Sequence, residues 1–108
     1  MDADSLFEQL KTIQEAKGYL FNRDMDKTMF LIEGLITNRE RYGYMCCPCR
    51  LSKDDVDADR DIICPCDYRE PDVKEFGSCY CGLYVSSEWN EGKVDHLYVP
   101  ERRPLEKC

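Results

Sequence analysis

The sequence has little histidine and tryptophan, one residue of each, and no long apolar run. The longest uninterrupted apolar stretch is Met29–Ile32, far too short to span a bilayer. The opening residues Met1-Asp2-Ala3-Asp4-Ser5 carry no basic segment, and no apolar stretch of export type follows. The expectation is a soluble, cytoplasmic chain with no membrane partner. Basic charge is also in deficit: 15 Lys and Arg against 22 Asp and Glu leave a net charge of −7. That argues against nucleic acid as a partner, since phosphate recognition needs a basic face to release counterions. No helix-length repeat and no low-complexity linker divides the 108 residues, so 1–108 is expected to form a single small domain.

What the chain does have is cysteine, 8 in all, and every one but Cys108 falls between residues 46 and 81. Without an export signal, such a density points to metal or redox chemistry rather than structural bridges. The cysteine-free first 40 residues read as helix. Leu6, Leu10, Ile13 and Leu20 recur at helical spacing, with Asp2 or Asp4 as cap. After a turn at Asn22-Arg23, Asp24 caps a second helix whose apolar face holds Met25, Met29, Ile32, Leu35 and Ile36, and Gly43 stops it. These helices are expected to pack on whatever the cysteines build. Ser52–Asp61 is acidic with helix-compatible spacing of Leu51, Val56 and Ile62 or Ile63, and is expected to be a solvated helix face. Glu70-Pro71-Asp72 opens a short helix that Gly77 ends. Leu83–Val85 and His96–Val99 look β-like, and Pro100 and Pro104 favour an extended tail.

Six of the cysteines form three Cys-x-Cys pairs: Cys47-Pro48-Cys49, Cys64-Pro65-Cys66 and Cys79-Tyr80-Cys81. Fourteen residues separate the first two pairs and twelve the last two. A cubane iron–sulfur cluster takes four thiolates, which leaves two for a disulfide or dithiol. Zinc is the competing reading, but its ligand pairs are usually spaced by two to four residues, and no paired histidine is present. Two further readings stay open on the residues alone. One is a non-enzymatic, zinc-stabilised interaction module; the other is a simple iron–sulfur electron-transfer or sensor protein.

Arg41-Tyr42-Gly43-Tyr44, Cys47-Pro48-Cys49-Arg50, Cys64-Pro65-Cys66 and Cys79-x-Cys81, in that order, resemble the catalytic (beta) subunit of ferredoxin–thioredoxin reductase. The resemblance covers most of the chain. It implies a mainly α fold of helices wrapped around a [4Fe–4S] cluster, with a short extended C-terminal tail. It further implies that Cys47, Cys64, Cys66 and Cys79 bind the metal cluster and that Cys49 and Cys81 form a redox-active disulfide. The activity implied is an iron–sulfur disulfide reductase. It would pass electrons from ferredoxin to the disulfide of thioredoxin or a thioredoxin-like protein, and a small variable subunit is a further partner the resemblance allows.

One residue departs from the family pattern. Tyr80 stands where histidine is common between the last two cysteines, which marks a divergent member. A tyrosine of ordinary pKa, about 10, does not exchange a proton near neutral pH as histidine does, though its hydroxyl can donate to a sulfur.

The remaining candidates read plainly. Arg50, next to Cys49, either lowers the pKa of that thiol or serves as a surface charge or partner contact. Arg50, Lys53, Arg69 and Lys74 are expected to form a basic patch for an acidic ferredoxin. Asp55-x-Asp57-x-Asp59 is not a calcium loop, because Arg60 and Cys66 occupy its required glycine and glutamate positions. His96 reads as exposed, Cys46 as a small buried hydrophobe, Met25 and Met29 as core, and Cys108 as a free terminal thiol.

Overall fold

In the computed structural model, which describes residues 2–107, the chain starts with helix α1, Ala3–Glu15. Asp2 caps it by accepting from the Ser5 N–H at 2.8 Å. Leu6 and Gln14 are its buried residues, whereas Ile13 faces solvent. The helix does not reach Leu20. Gly18, at φ 93°, breaks it, and Leu20–Phe21 form strand β1. Helix α2, Met25–Tyr42, follows the expected Asp24 cap and stops at Gly43, whose φ is 89°. It buries Leu31, Ile32 and Leu35. Met25 is exposed, because the buried face starts one turn later at Thr28, whose hydroxyl donates to the Asn22 carbonyl at 2.7 Å.

Ser52–Asp61 is not a helix. Its short polar side chains take the backbone donors that a helix would need. Ser52 Oγ accepts from the Asp54 N–H, Asp55 Oδ1 from the Asp57 N–H, and the Asp59 carboxylate from the Lys53 N–H. Only a 3-10 turn, Arg60–Ile62, forms there. Nor is this segment wholly solvated: Asp59 and Asp61 are buried, while Leu51 and Val56 are exposed.

Helix α3, Arg69–Phe76, ends at Gly77 with φ 80°. Strand β2, Tyr84–Val85, pairs antiparallel with β1 through Leu20↔Val85 and Phe21↔Tyr84. Ser78 bridges to Val85 as well. Those two pairings leave no place for His96–Val99 beside β2, and that stretch is not a strand. A one-turn helix α4, Ser87–Asn90, and the extended tail complete the chain, with a 3-10 turn at Leu105–Lys107. Cys108 lies outside the described residues.

The architecture is mainly α, with a two-stranded sheet. Its core joins the helix residues Leu6, Leu31, Ile32 and Leu35 to Phe21, Tyr84 and the buried Cys46, Cys47, Cys79 and Cys81. The helices therefore do pack on the cysteine-bearing segments. Among the described residues, no helix is long and apolar enough to cross a membrane.

Candidate redox site

Backbone hydrogen bonds bring the separate cysteine pairs together. The chain after α2 runs antiparallel to the segment after the 3-10 turn, with Cys46 opposite Ile63. The Cys47 N–H donates to the Ile62 carbonyl at 2.7 Å, and the Cys64 N–H to that of Met45 at 2.8 Å. Cys47 and Cys64 therefore leave this ladder together. Pro48 lies against α2 at Gly34, where a Cβ would sit 2.9 Å from Pro48 Cβ, so only glycine permits this approach. The Cys66 carbonyl accepts from the Arg69 N–H at the start of α3. Cys79 closes a tight loop on β2: its N–H donates to the Tyr84 carbonyl at 2.9 Å, and its carbonyl accepts from the Gly82 N–H at 3.0 Å.

The result is one narrow, apolar pocket, with a cavity volume of only about 10 Å³. Cys47, Cys64, Cys66, Cys79 and Cys81 line it, with Arg50, Arg69, Tyr80 and Tyr84. The seven described cysteines are free thiols. Cys49 alone among them is exposed, and it borders the surface grooves beside the cavity rather than the cavity itself. Cys81 lies between the cavity and Cys49: its sulfur is 3.7 Å from that of Cys79 in the pocket, and it is near enough to Cys47 and Cys49 to lower the pKa of both. Cys81 is thus the junction between the cavity and the surface thiol.

These contacts set the acidities. Hydrogen bonding to Cys81 outweighs burial and holds the Cys79 thiol at about 6 and that of Cys47 at about 7. The converse hydrogen bonds, with burial, push Cys81 well above the ordinary thiol value. Burial pushes Cys64 and Cys66 up. Cys49 is lowered, first by its hydrogen bond to Cys81; the cation that adds to this is Lys27 of α2. Cys46 is fully buried, its thiol raised by burial, as expected of a small hydrophobe.

Arg50 points away from the role of lowering Cys49. Its side chain is buried and paired with Glu101 through two contacts of 2.8 Å, and Nη1 reaches Cys66 Sγ at 3.5 Å. The guanidinium also lies 4.5 Å from the Tyr80 ring centre. Tyr80 therefore meets the site through its ring, and among the described residues its hydroxyl donates to no sulfur. Burial raises the Tyr80 pKa, so the phenol stays protonated. Arg69 is buried too. The expected basic patch loses both arginines to the interior, and only Lys53 and Lys74 of the four are exposed.

The donor set fits an iron–sulfur group. Among the described residues, no three His, Cys, Asp or Glu side chains gather as a single-ion site. Five thiols line this one apolar pocket, and no histidine or carboxylate among the described residues joins them, a sulfur-only donor set of the kind that iron–sulfur groups take. The Tyr84 hydroxyl, buried beside that pocket, has no hydrogen-bond partner among the described residues. A donor left so is suited to a sulfur-rich acceptor.

Comparison with known proteins agrees with this chemistry. The family model described as the ferredoxin thioredoxin reductase catalytic beta chain matches residues 2–101. This chain belongs to that family. It is similar to the ferredoxin-thioredoxin reductase catalytic chain of Porphyra purpurea, with 30% identity over 100 residues. That match covers 90% of this chain and 80% of the relative. As a member of the reductase family the chain is an oxidoreductase, and the family is an iron–sulfur one.

Several residues of this reductase-family site escape a reading of sequence alone. Tyr84 reads only as a strand residue, and Arg69 only as one charge of a surface basic patch. Gly34 is one of several glycines, and Lys27 lies some twenty residues before the first cysteine. No local pattern marks them, because each acquires its role from a neighbour distant in sequence.

Proposed function

We propose that this chain is a ferredoxin-dependent disulfide reductase that acts on thioredoxin or a thioredoxin-like protein. Residues 1–108 would serve as one catalytic domain, its helices wrapped around a [4Fe–4S] cluster held by Cys47, Cys64, Cys66 and Cys79. Cys49 and Cys81 would be the redox pair. One observation carries this reading: five thiols line a single apolar pocket, and the exposed Cys49 lies near enough to one of them, Cys81, for the two to shift each other's acidity.

When bound, the cluster supplies one-electron chemistry to a disulfide reduction that consumes two electrons. The rest falls to the protein's own sulfurs. Cys49 is exposed with a lowered pKa, so it is the thiolate that attacks the target disulfide and forms a mixed disulfide. One target sulfur leaves with a proton. Cys81, buried and near enough to Cys49 to shift its acidity, then attacks the Cys49 sulfur. The second target sulfur leaves as a thiol, and Cys49–Cys81 becomes the disulfide. Two electrons have moved from the pair to the target, and two single-electron deliveries from ferredoxin restore the pair. Burial bars Cys81 from attacking first. Tyr80 holds its proton throughout, and its ring anchors Arg50 beside Cys66.

This chemistry would operate in a reducing cytoplasm, where protein thiols persist. A small variable subunit is a further partner consistent with the reading.

Anaerobically purified protein is expected to hold about four irons and four sulfides per chain. Cys49→Ser should keep that content and the visible spectrum while ferredoxin-driven thioredoxin reduction falls to the no-enzyme level. Retained turnover would remove Cys49 from the mechanism. Stoichiometric zinc without sulfide, persisting after anaerobic reconstitution, would replace this reading with a zinc-stabilised interaction module.

A further inference from the structure

Three arginines near the site have buried side chains, and two of them have carboxylate partners. Arg50 is paired with Glu101, and Arg103 with Asp61 at 2.9 Å. Arg69 has none among the described residues. Its Nη1 donates to Gln14 Oε1 at 2.5 Å, and its guanidinium lies 3.8 Å from the Tyr19 ring centre and 4.8 Å from that of Tyr84. One neutral amide and two ring faces leave its charge without a carboxylate to balance it. A charge that is 8% exposed is costly to hold in this way. Arg69 also lines the thiol cavity.

A buried cation without an anion, beside a cavity of four candidate metal-binding thiols, identifies its own partner. We propose that Arg69 is the counter-cation of the metal-loaded site and sets its reduction potential. This rests on the iron–sulfur reading above. Four thiolates over-balance the positive charge of the metal core, so the loaded cavity is net negative and becomes more so on reduction. A fixed positive charge on its wall favours the reduced form. Arg50 also faces the site, at Cys66 Sγ, but shares its charge with Glu101, which Arg69 does not do with any carboxylate among the described residues. Arg69 is therefore a positioning residue for charge, acting through the cavity and not on the substrate.

The test is the midpoint potential of the visible chromophore, measured by anaerobic spectroelectrochemistry on full-length wild-type, R69K and R69Q proteins. R69K keeps the charge; R69Q keeps only a polar side chain. The expected result is an unchanged potential in R69K. In R69Q the ratio of reduced to oxidised centre at the wild-type midpoint should fall about tenfold, a negative shift of 59 mV for one electron. Loading of R69K together with failure of R69Q to load would support the same conclusion, since charge is then required for assembly. A wild-type potential in R69Q, or equal impairment of R69K and R69Q, would overturn it and leave Arg69 a packing residue under Tyr19 and Tyr84. Absence of iron and sulfide from the wild type would instead defeat the reading on which the proposal rests.

Discussion

At the scale of single residues, the Tyr84 hydroxyl carries information of a kind that the cysteines do not. A buried hydroxyl without a partner costs roughly 1–3 kcal/mol, so a native fold keeps one only where something else meets it. Sulfur acceptors in the adjoining cavity would do so. Tyr84→Phe is therefore expected to leave the fold intact and make the loaded centre about fivefold quicker to bleach under chelator, the equivalent of one ordinary hydrogen bond. Wild-type bleaching would place the hydroxyl outside the centre's reach. The cysteines were legible in the sequence because their chemistry resides in residue type and spacing. Tyr84 and Arg69 were not, because an unpaired hydroxyl and an unpaired cation are properties of burial. Arg50 was visible as the neighbour of Cys49, yet the buried Glu101 contact, 51 residues away, turns it toward Cys66.

At the scale of elements, the helices followed from local signals. Asp2 and Asp24 cap, Gly43 and Gly77 stop, and Pro71 lies within the first turn of α3. Where side chains compete with the backbone, the same periodic reading failed: Ser52, Asp55 and Asp59 dismantle the helix that Leu51, Val56 and Ile62 suggested. Leu20 was misplaced because its partner, Val85, is 65 residues further on. The contact that matters most for the site is between α2 and the first cysteine loop, at Gly34 and Pro48. A methyl group at Gly34 gains about 1 kcal/mol of helix propensity but meets a proline ring that has little freedom to yield. Overpacking costs typically 1–3 kcal/mol. Gly34→Ala should therefore lower stability by about 1 kcal/mol, read from the denaturant midpoint of the loaded protein. Because the loop carries both Cys47 and Cys49, turnover should fall more than iron content. Wild-type stability and turnover would show that Pro48 gives way without moving the thiols.

At the scale of the whole molecule, the C-terminal tail binds the cysteine-bearing half together through three successive charged residues. Glu101 holds Arg50; Arg102 holds Asp72 at 2.7 Å and, through Nη2, Glu75; Arg103 holds Asp61 and the Ala58 carbonyl. The acidic partners make this clasp sensitive to pH. Burial alone would raise Asp59, Asp61 and Glu101, but hydrogen bonds outweigh it: from Ser52 and Tyr44 to Asp59, from Arg103 and Tyr68 to Asp61, and from Arg50 and the Arg103 N–H to Glu101. All three carboxyls are held below their ordinary values. A carboxyl with a lowered folded pKa contributes stability that is fully present above its unfolded value, about 4, and is lost as pH falls through the folded value. Stability should therefore stay level from neutrality to about pH 5 and then drop steeply below 4. Arg103→Ala separates the clasp from the other carboxyls. Removing one partner of a buried pair should cost about 3 kcal/mol at neutral pH. It also frees Asp61 to move upward under burial, so the variant's loss relative to wild type should shrink as pH falls and Asp61 takes up its proton. Denaturant midpoints of both proteins between pH 7 and 3 would measure this, and parallel curves would mean that Asp61 owes its low pKa to something other than the tail.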